Sequence, residues 1–94
     1  MTSEINKRHN VNVELDNLVF EALDTFYAMQ HKPAYTADVE ACLIKLEVPM
    51  YVWSGKVEGS LTRLVKQKKV VHGTRYGKDI WEPVPAASIL NYGD

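Results

Sequence analysis

The sequence predicts a small α+β domain: three helices, a β-hairpin after them, and a short strand between the first and second helix. Three observations carry this expectation. Apolar residues recur at three- and four-residue steps in three separate stretches, the signature of amphipathic helices. Pro33 and Pro49 stand between those stretches, where a helix cannot continue. After the third stretch, β-branched and aromatic residues flank a Gly-containing turn at Tyr76-Gly77-Lys78-Asp79, which is the grammar of a hairpin. A chain of 94 residues, 46% hydrophobic, corresponds to about one domain with a real core.

In the first helix the apolar residues are Leu15, Leu18, Val19, Ala22, Phe26 and Met29. Asn12 is placed to cap its start, and Glu14 and Asp16 sit in the first turn, where the helix dipole favours negative charge. Phe20, Leu23 and Tyr27 form a second stripe beside the first, a wider apolar surface than one neighbour covers. Either the C-terminal tail or a second subunit is expected on it. Residues 1–11 read as a polar tail, residues 12–84 as the domain, and residues 85–94 as a tail whose Ile89, Leu90 and Tyr92 are available to cover Phe20 and Tyr27.

Pro33-Ala34-Tyr35-Thr36 reads as a short extended piece, with Thr36 as the N-cap of the second helix. Val39, Leu43 and Leu46 then recur at helical spacing through about Glu47, with Cys42 beside them as a small core residue. Val48 to Trp53 is a connector rich in large apolar residues, either a buried plug or an interface. Ser54 caps the third helix, which is expected to run to Lys68. Val57, Leu61, Leu64 and Lys68 share its inner side. Gly55, Gly59, Thr62, Arg63 and Lys66 share the outer side, with Lys56 at the edge. Gly59 permits close packing within the protein or close approach of a ligand. In the hairpin, Val71, Ile80 and Trp81 are expected to face the core, and Arg75, Tyr76 and Lys78 to lie at the tip. Pro83 confines the return strand to an edge or ends it.

Charge is distributed in blocks. Residues 1–52 carry a net −4, residues 53–78 a net +6 and residues 79–94 a net −3. A basic block of this kind points to an anionic partner. Catalysis is not expected: the chain has no phosphate-cradling loop, nucleophile elbow or dinucleotide fingerprint. His9, His31 and His72 are scattered and Cys42 is the lone cysteine, so neither a metal nor another cofactor is expected. No apolar run approaches the ~18 residues of a membrane span, and the first residues lack the apolar stretch of a signal peptide. A cytoplasmic location is the corresponding expectation.

The order of elements from Leu15 to Val84 resembles a winged helix-turn-helix domain. Tyr35 to Leu43 is similar to that family's second helix and its lead-in. Val52-Trp53-Ser54 with Val57, Leu61, Leu64 and Val70-Val71 is similar to its turn, recognition helix and entry to the wing, and Gly73 to Trp81 resembles the wing. Lys68-Lys69 occupies a place where the family often has glycine, and Leu43 to Val52 is longer than the usual tight turn. The resemblance implies a small DNA-binding protein, a transcriptional regulator working as a homodimer on paired half-sites. The residues it implies are Ser54, Lys56, Thr62, Arg63 and Lys66 on the recognition helix and Arg75, Tyr76 and Lys78 on the wing. Arg63 would pair with guanine, and Lys56, Thr62 and Lys66 would serve phosphate or base. Ser54 and Gly55 would present backbone N–H groups to a phosphate, and Arg75 and Lys78 would hold the backbone or enter the minor groove. The alternative is a protein-binding module on the same scaffold, using Phe20, Tyr27, Tyr51 and Trp53.

Overall fold

The structure is a computed structural model that describes the backbone of residues 2–84 and the side chains of residues 12–84. Its elements, in chain order, are α1 (Thr2–Gln30), β1 (Ala34–Tyr35), α2 (Thr36–Lys45), α3 (Met50–Trp53), α4 (Val57–Lys66), β2 (Val70–Arg75) and β3 (Lys78–Pro83). This is an α+β arrangement with an antiparallel sheet in the order β1-β3-β2. The covering of Phe20 and Tyr27 by Ile89, Leu90 and Tyr92 lies outside the described residues.

Helix α1 starts ten residues before Asn12, so Asn12 is an interior residue and not a cap. No proline or glycine between Thr2 and Val11 interrupts it. Leu15, Val19, Ala22 and Leu23 of α1 are buried with Val39 and Leu43 of α2 and Val57, Leu61 and Leu64 of α4. Leu23, placed by its spacing in a second stripe, is therefore core, whereas Met29 is exposed.

Helix α2 begins at Thr36, and its N-cap is Tyr35. The Asp38 carboxylate accepts the Tyr35 N–H at 3.0 Å. Thr36 plays a different part. Its Oγ1 accepts the Trp81 Nε1–H at 2.9 Å, which ties the sheet to α2. Both α2 and α4 end in the same way. After α2, the N–H of Glu47 donates to Ile44 and that of Val48 to Leu43. After α4, the N–H of Lys68 donates to Val65 and that of Lys69 to Leu64. This is the Schellman pattern, which needs a left-handed residue, and Glu47 (φ 62) and Lys68 (φ 63) supply it without being glycine. Leu46 and Lys68 consequently fall outside the helices that their spacing suggested.

The connector after Pro49 is helical. Its one turn, α3, drives Trp53 into the core at 4% exposure, where its Nε1–H donates to the Val48 carbonyl at 3.1 Å. In the sheet, β3 is the central strand and not an edge, pairing Trp81 with Ala34 on one side and with His72 on the other. Pro83 fits because of register. The Val84 N–H donates to Lys69, so even-numbered residues of β3 turn their amides toward β2. The Pro83 nitrogen faces the other way, beyond the two residues of β1. The same register places Val70, His72, Trp81 and Pro83 on one face. Val71 is therefore on the opposite face and 54% exposed, contrary to the expectation that it packs inward; Ile80, also on that face, is half-buried.

Candidate nucleic-acid interface

The outer face of α4 and the hairpin approach each other at Glu58 and Thr62, and Glu58 also borders Gly77 and Lys78 at the hairpin tip. Helix α4 is shorter than its spacing suggested. Ser54, Gly55 and Lys56 form a turn before it, and Gly55 has φ 71, a left-handed value that glycine adopts without a Cβ penalty. Ser54 is therefore the C-cap of α3, not the N-cap of α4; its N–H donates to Met50 at 2.8 Å. The Lys56 N–H likewise donates to Trp53, at 2.8 Å. Both backbone amides are thus used within the protein, and that of Ser54 is not free for the phosphate role implied for it.

Arg63 is the largest revision. Its Nε donates to Asp16 Oδ2 at 2.9 Å and its Nη2 to Asp16 Oδ1 at 2.8 Å. The Ser60 hydroxyl donates to the same Oδ1 at 2.5 Å. The Asp16 side chain is 9% exposed and that of Arg63 is 40% exposed. Asp16 thus clamps α1 to α4 through two residues of α4, and Arg63 is committed to that clamp instead of being a free guanine reader. Hydrogen bonding to Asp16, aided by its charge and opposed by burial, pushes the guanidinium pKa up from its ordinary value. The signal was present in the spacing. Asp16 stands three residues before Val19 and seven before Leu23, on the buried stripe, and Ser60 lies between Val57, Leu61 and Leu64 on the inner side of α4.

What remains on the outer face of α4 is Glu58, Gly59, Thr62 and Lys66, all exposed. The Thr62 hydroxyl donates to the Glu58 carbonyl at 2.8 Å, so its proton is used within the helix. A Cβ on Gly59 would meet only the Arg63 Nη1, at 3.9 Å. Close packing within the protein therefore does not explain that glycine.

The hairpin turn consists of Tyr76 (φ 54) and Gly77 (φ 75), two left-handed residues as a two-residue hairpin loop requires. Arg75 and Lys78 face each other across this turn, both exposed, and Tyr76 projects from the tip. Between hairpin and α4 lies a groove of about 310 Å³ lined by Glu58, Thr62, Val65, His72, Asp79 and Trp81. His72 Nε2 lies 2.8 Å from Asp79 Oδ1, and its ring rests against Trp81 with centroids 4.6 Å apart. Among the described residues the carboxylates in contact with a cationic or imidazole side chain are Asp16, with Arg63, and Asp79, with His72. Lys56, Lys66, Arg75 and Lys78 thus have no carboxylate partner among those residues.

The aromatic candidates separate by exposure. Trp53 is a buried plug and presents no surface to a partner. Phe20 is half-buried and packs on the core. Tyr27 is half-buried, and the Glu82 carboxylate pushes its phenol pKa up. Tyr51, at 81% exposure, is the one of the four that is open, and Met50 beside it is exposed as well. No helix among the described residues is long and apolar enough to cross a membrane. Comparisons with protein-family models, with curated proteins and with solved structures find no match to this chain.

Proposed function

We propose that this chain is a winged-helix protein that binds duplex DNA, with α4 and the hairpin tip against the phosphate backbone. The observation that carries the reading is the set of four exposed cations on α4, the turn before it and the hairpin, Lys56, Lys66, Arg75 and Lys78, none of them in an ion pair among the described residues. Lys and Arg contacts to DNA gain free energy by releasing condensed counterions. Arg63 and Ser54 are not part of this interface. Base discrimination is weak, because Glu58, Gly59 and Thr62 offer the major groove no bidentate donor pair. A regulatory role would then depend on half-site spacing in a homodimer more than on base reading by one copy.

The test is a fluorescence anisotropy titration against duplexes of unrelated sequence over a range of salt. Binding should weaken as salt rises, with a log–log slope of about −0.9 for each phosphate neutralised. Changing both Arg75 and Lys78 to Ala should make the slope shallower on every duplex equally. Absence of binding at low salt overturns the reading.

A second reading rests on Tyr51 and Met50. With Leu15, Leu18 and Val52 in reach, Tyr51 borders a groove of about 480 Å³ between α1 and α3. Exposed Tyr and Met beside an apolar groove suit a protein partner, a second copy included. Light scattering of the protein and of a Tyr51→Ala variant tests self-association through this surface.

A further inference from the structure

Strand β2 is an edge strand, and among the described residues no strand pairs with its outer side. The register leaves Val71, Gly73 and Arg75 bonded to β3 and turns the N–H and C=O groups of Val70, His72 and Thr74 outward. An unpaired edge is a template for another strand, and proteins usually blunt such edges or use them. Beside this edge lies a groove of about 990 Å³, larger than either of the two described above. Its walls are apolar, from Val65, Val70, Val71 and Val84, and its charged residues are Lys68 and Lys69. Arg75 and Lys78 stand at the far end of the strand.

We infer that the β2 edge takes an extended, acidic segment of a protein partner as a fourth strand of the sheet. Backbone pairing supplies the affinity in this mode, and alternate side chains supply the selection. A strand laid on β2 sends every second side chain to each face. Apolar residues on one face meet the valine walls, and carboxylates meet Lys68 and Lys69 at one end and Arg75 at the other. A second copy of this chain is a poor occupant. The longest self-pairing, antiparallel about His72, sets Arg75 directly opposite Lys69 of the other copy, a like-charge pair at each end. The same cations thus guard against self-pairing and select an acidic strand.

The edge shares Arg75 with the proposed DNA interface but not α4, and its distinguishing contacts are the outward amides of Val70, His72 and Thr74 with Lys68 and Lys69, so the DNA titration and this test can fail separately. The probe is a capped synthetic peptide alternating valine and glutamate, titrated into the isotope-labelled full chain and followed by NMR. The expected result is a shift and slowed exchange of the Val70, His72 and Thr74 amides, weakened by salt, while the alternate amides change little. Thr74→Pro removes one outward donor without touching a β2–β3 bond. It should leave the remaining spectrum folded and reduce peptide affinity by at least about fivefold, the equivalent of one hydrogen bond. A Lys68→Glu/Lys69→Glu variant should lose binding and recover it with a peptide in which lysine replaces glutamate.

Three outcomes overturn the inference. In the first, the peptide fails to move these amides. In the second, the same amides respond to protein concentration alone, or to duplex DNA in place of the peptide. In the third, they are already protected in the free monomer and lose that protection when residues 85–94 are deleted, which would make the chain's own tail the occupant.

Discussion

Asp16 shows how a single residue changes the meaning of its neighbours. As a first-turn acid it would be worth a few tenths of a kcal/mol to the helix; as an acceptor for Ser60 and Arg63 it joins two helices. Arg63 and Lys66 both lie toward the outside of α4, yet they respond oppositely to the same substitution. Lys66→Glu should leave the melting temperature nearly unchanged, because an exposed, unpaired charge contributes little. Arg63→Ala strands a nearly buried carboxylate and should cost about 2–3 kcal/mol, and Arg63→Glu more, since two carboxylates would then face each other. Denaturant midpoints of the three variants check this ordering, and an Arg63→Ala variant as stable as Lys66→Glu would sink the clamp. Two other residues contribute to the alkaline limb of stability. Burial pushes the Cys42 thiol above its ordinary 9.0, with Lys45 opposing and Asp38 adding to the shift, and Glu82 pushes the Tyr27 phenol above 10.0. Each group holds its proton more tightly folded than unfolded. Its contribution is therefore complete below the unfolded value and is lost as pH rises through the folded one. Stability should fall above about pH 9. The fall should be shallower in a Cys42→Ser/Tyr27→Phe variant, and a limb unchanged by both substitutions would contradict these assignments.

At the level of elements, the caps are where local chemistry is least economical. Glu47 and Lys68 occupy left-handed positions that glycine adopts freely, at a strain of about 1 kcal/mol each for a residue with a Cβ. Glu47→Gly should raise stability by about 0.5 kcal/mol once the added freedom of the unfolded chain is subtracted, and Glu47→Val should lower it by more than that. Thermal melts of both variants decide the point: if glycine and valine behave alike, the left-handed cap does not govern the end of α2. The same caps explain what the sequence made legible and what it did not. Three helical stretches, a strand at Ala34–Tyr35 and a hairpin after Lys69 were all readable, because periodicity reports which face is buried over several turns. Helix ends were not, because Lys68 continues the apolar spacing of α4 while its backbone has already reversed. Helix α3 was missed since one turn is too short to show a period. Val71 was misplaced because hairpin register depends on where the turn closes. Once Tyr76 and Gly77 are the two loop residues, His72 is fixed opposite Trp81 and Val71 must face outward. The candidate site was legible as a basic block, and Lys56, Lys66, Arg75 and Lys78 are exposed where the spacing put them. Only the pairing of Arg63 required a contact across more than forty residues.

Across the whole molecule, α1 is the element against which the rest is assembled, packing on α2, α4, β1 and β3. Two tryptophans report on the two sides of that assembly. Trp53 sits among the helices and donates to Val48, whereas Trp81 lies in the central strand and donates to Thr36 of α2. Both are nearly inaccessible, so the native emission of each should be that of an apolar site and should move toward that of water on unfolding. Small single domains usually unfold in one step, and here there is a structural reason to expect it. Among the described residues the sheet packs on the helices, because its buried residues Ala34, Val70 and Trp81 belong to the same core cluster as Leu23, Leu43 and Leu61. A hairpin detached from that cluster would be marginal in water. Trp53→Phe leaves Trp81 as the only tryptophan, a probe of the sheet; Trp81→Phe leaves Trp53, a probe of the helices. In each variant the fluorescence transition in denaturant should coincide with the loss of helical circular dichroism, since sheet and helices share one core. The decisive comparison is the Trp53→Phe variant. If its Trp81 signal changes at lower denaturant than its helical signal, the hairpin opens before the helices, and the sheet is an appendage of the helical core instead of a layer of it. A single shared midpoint identifies one cooperative unit, in which the β2 edge and the outer face of α4 are held in fixed relation.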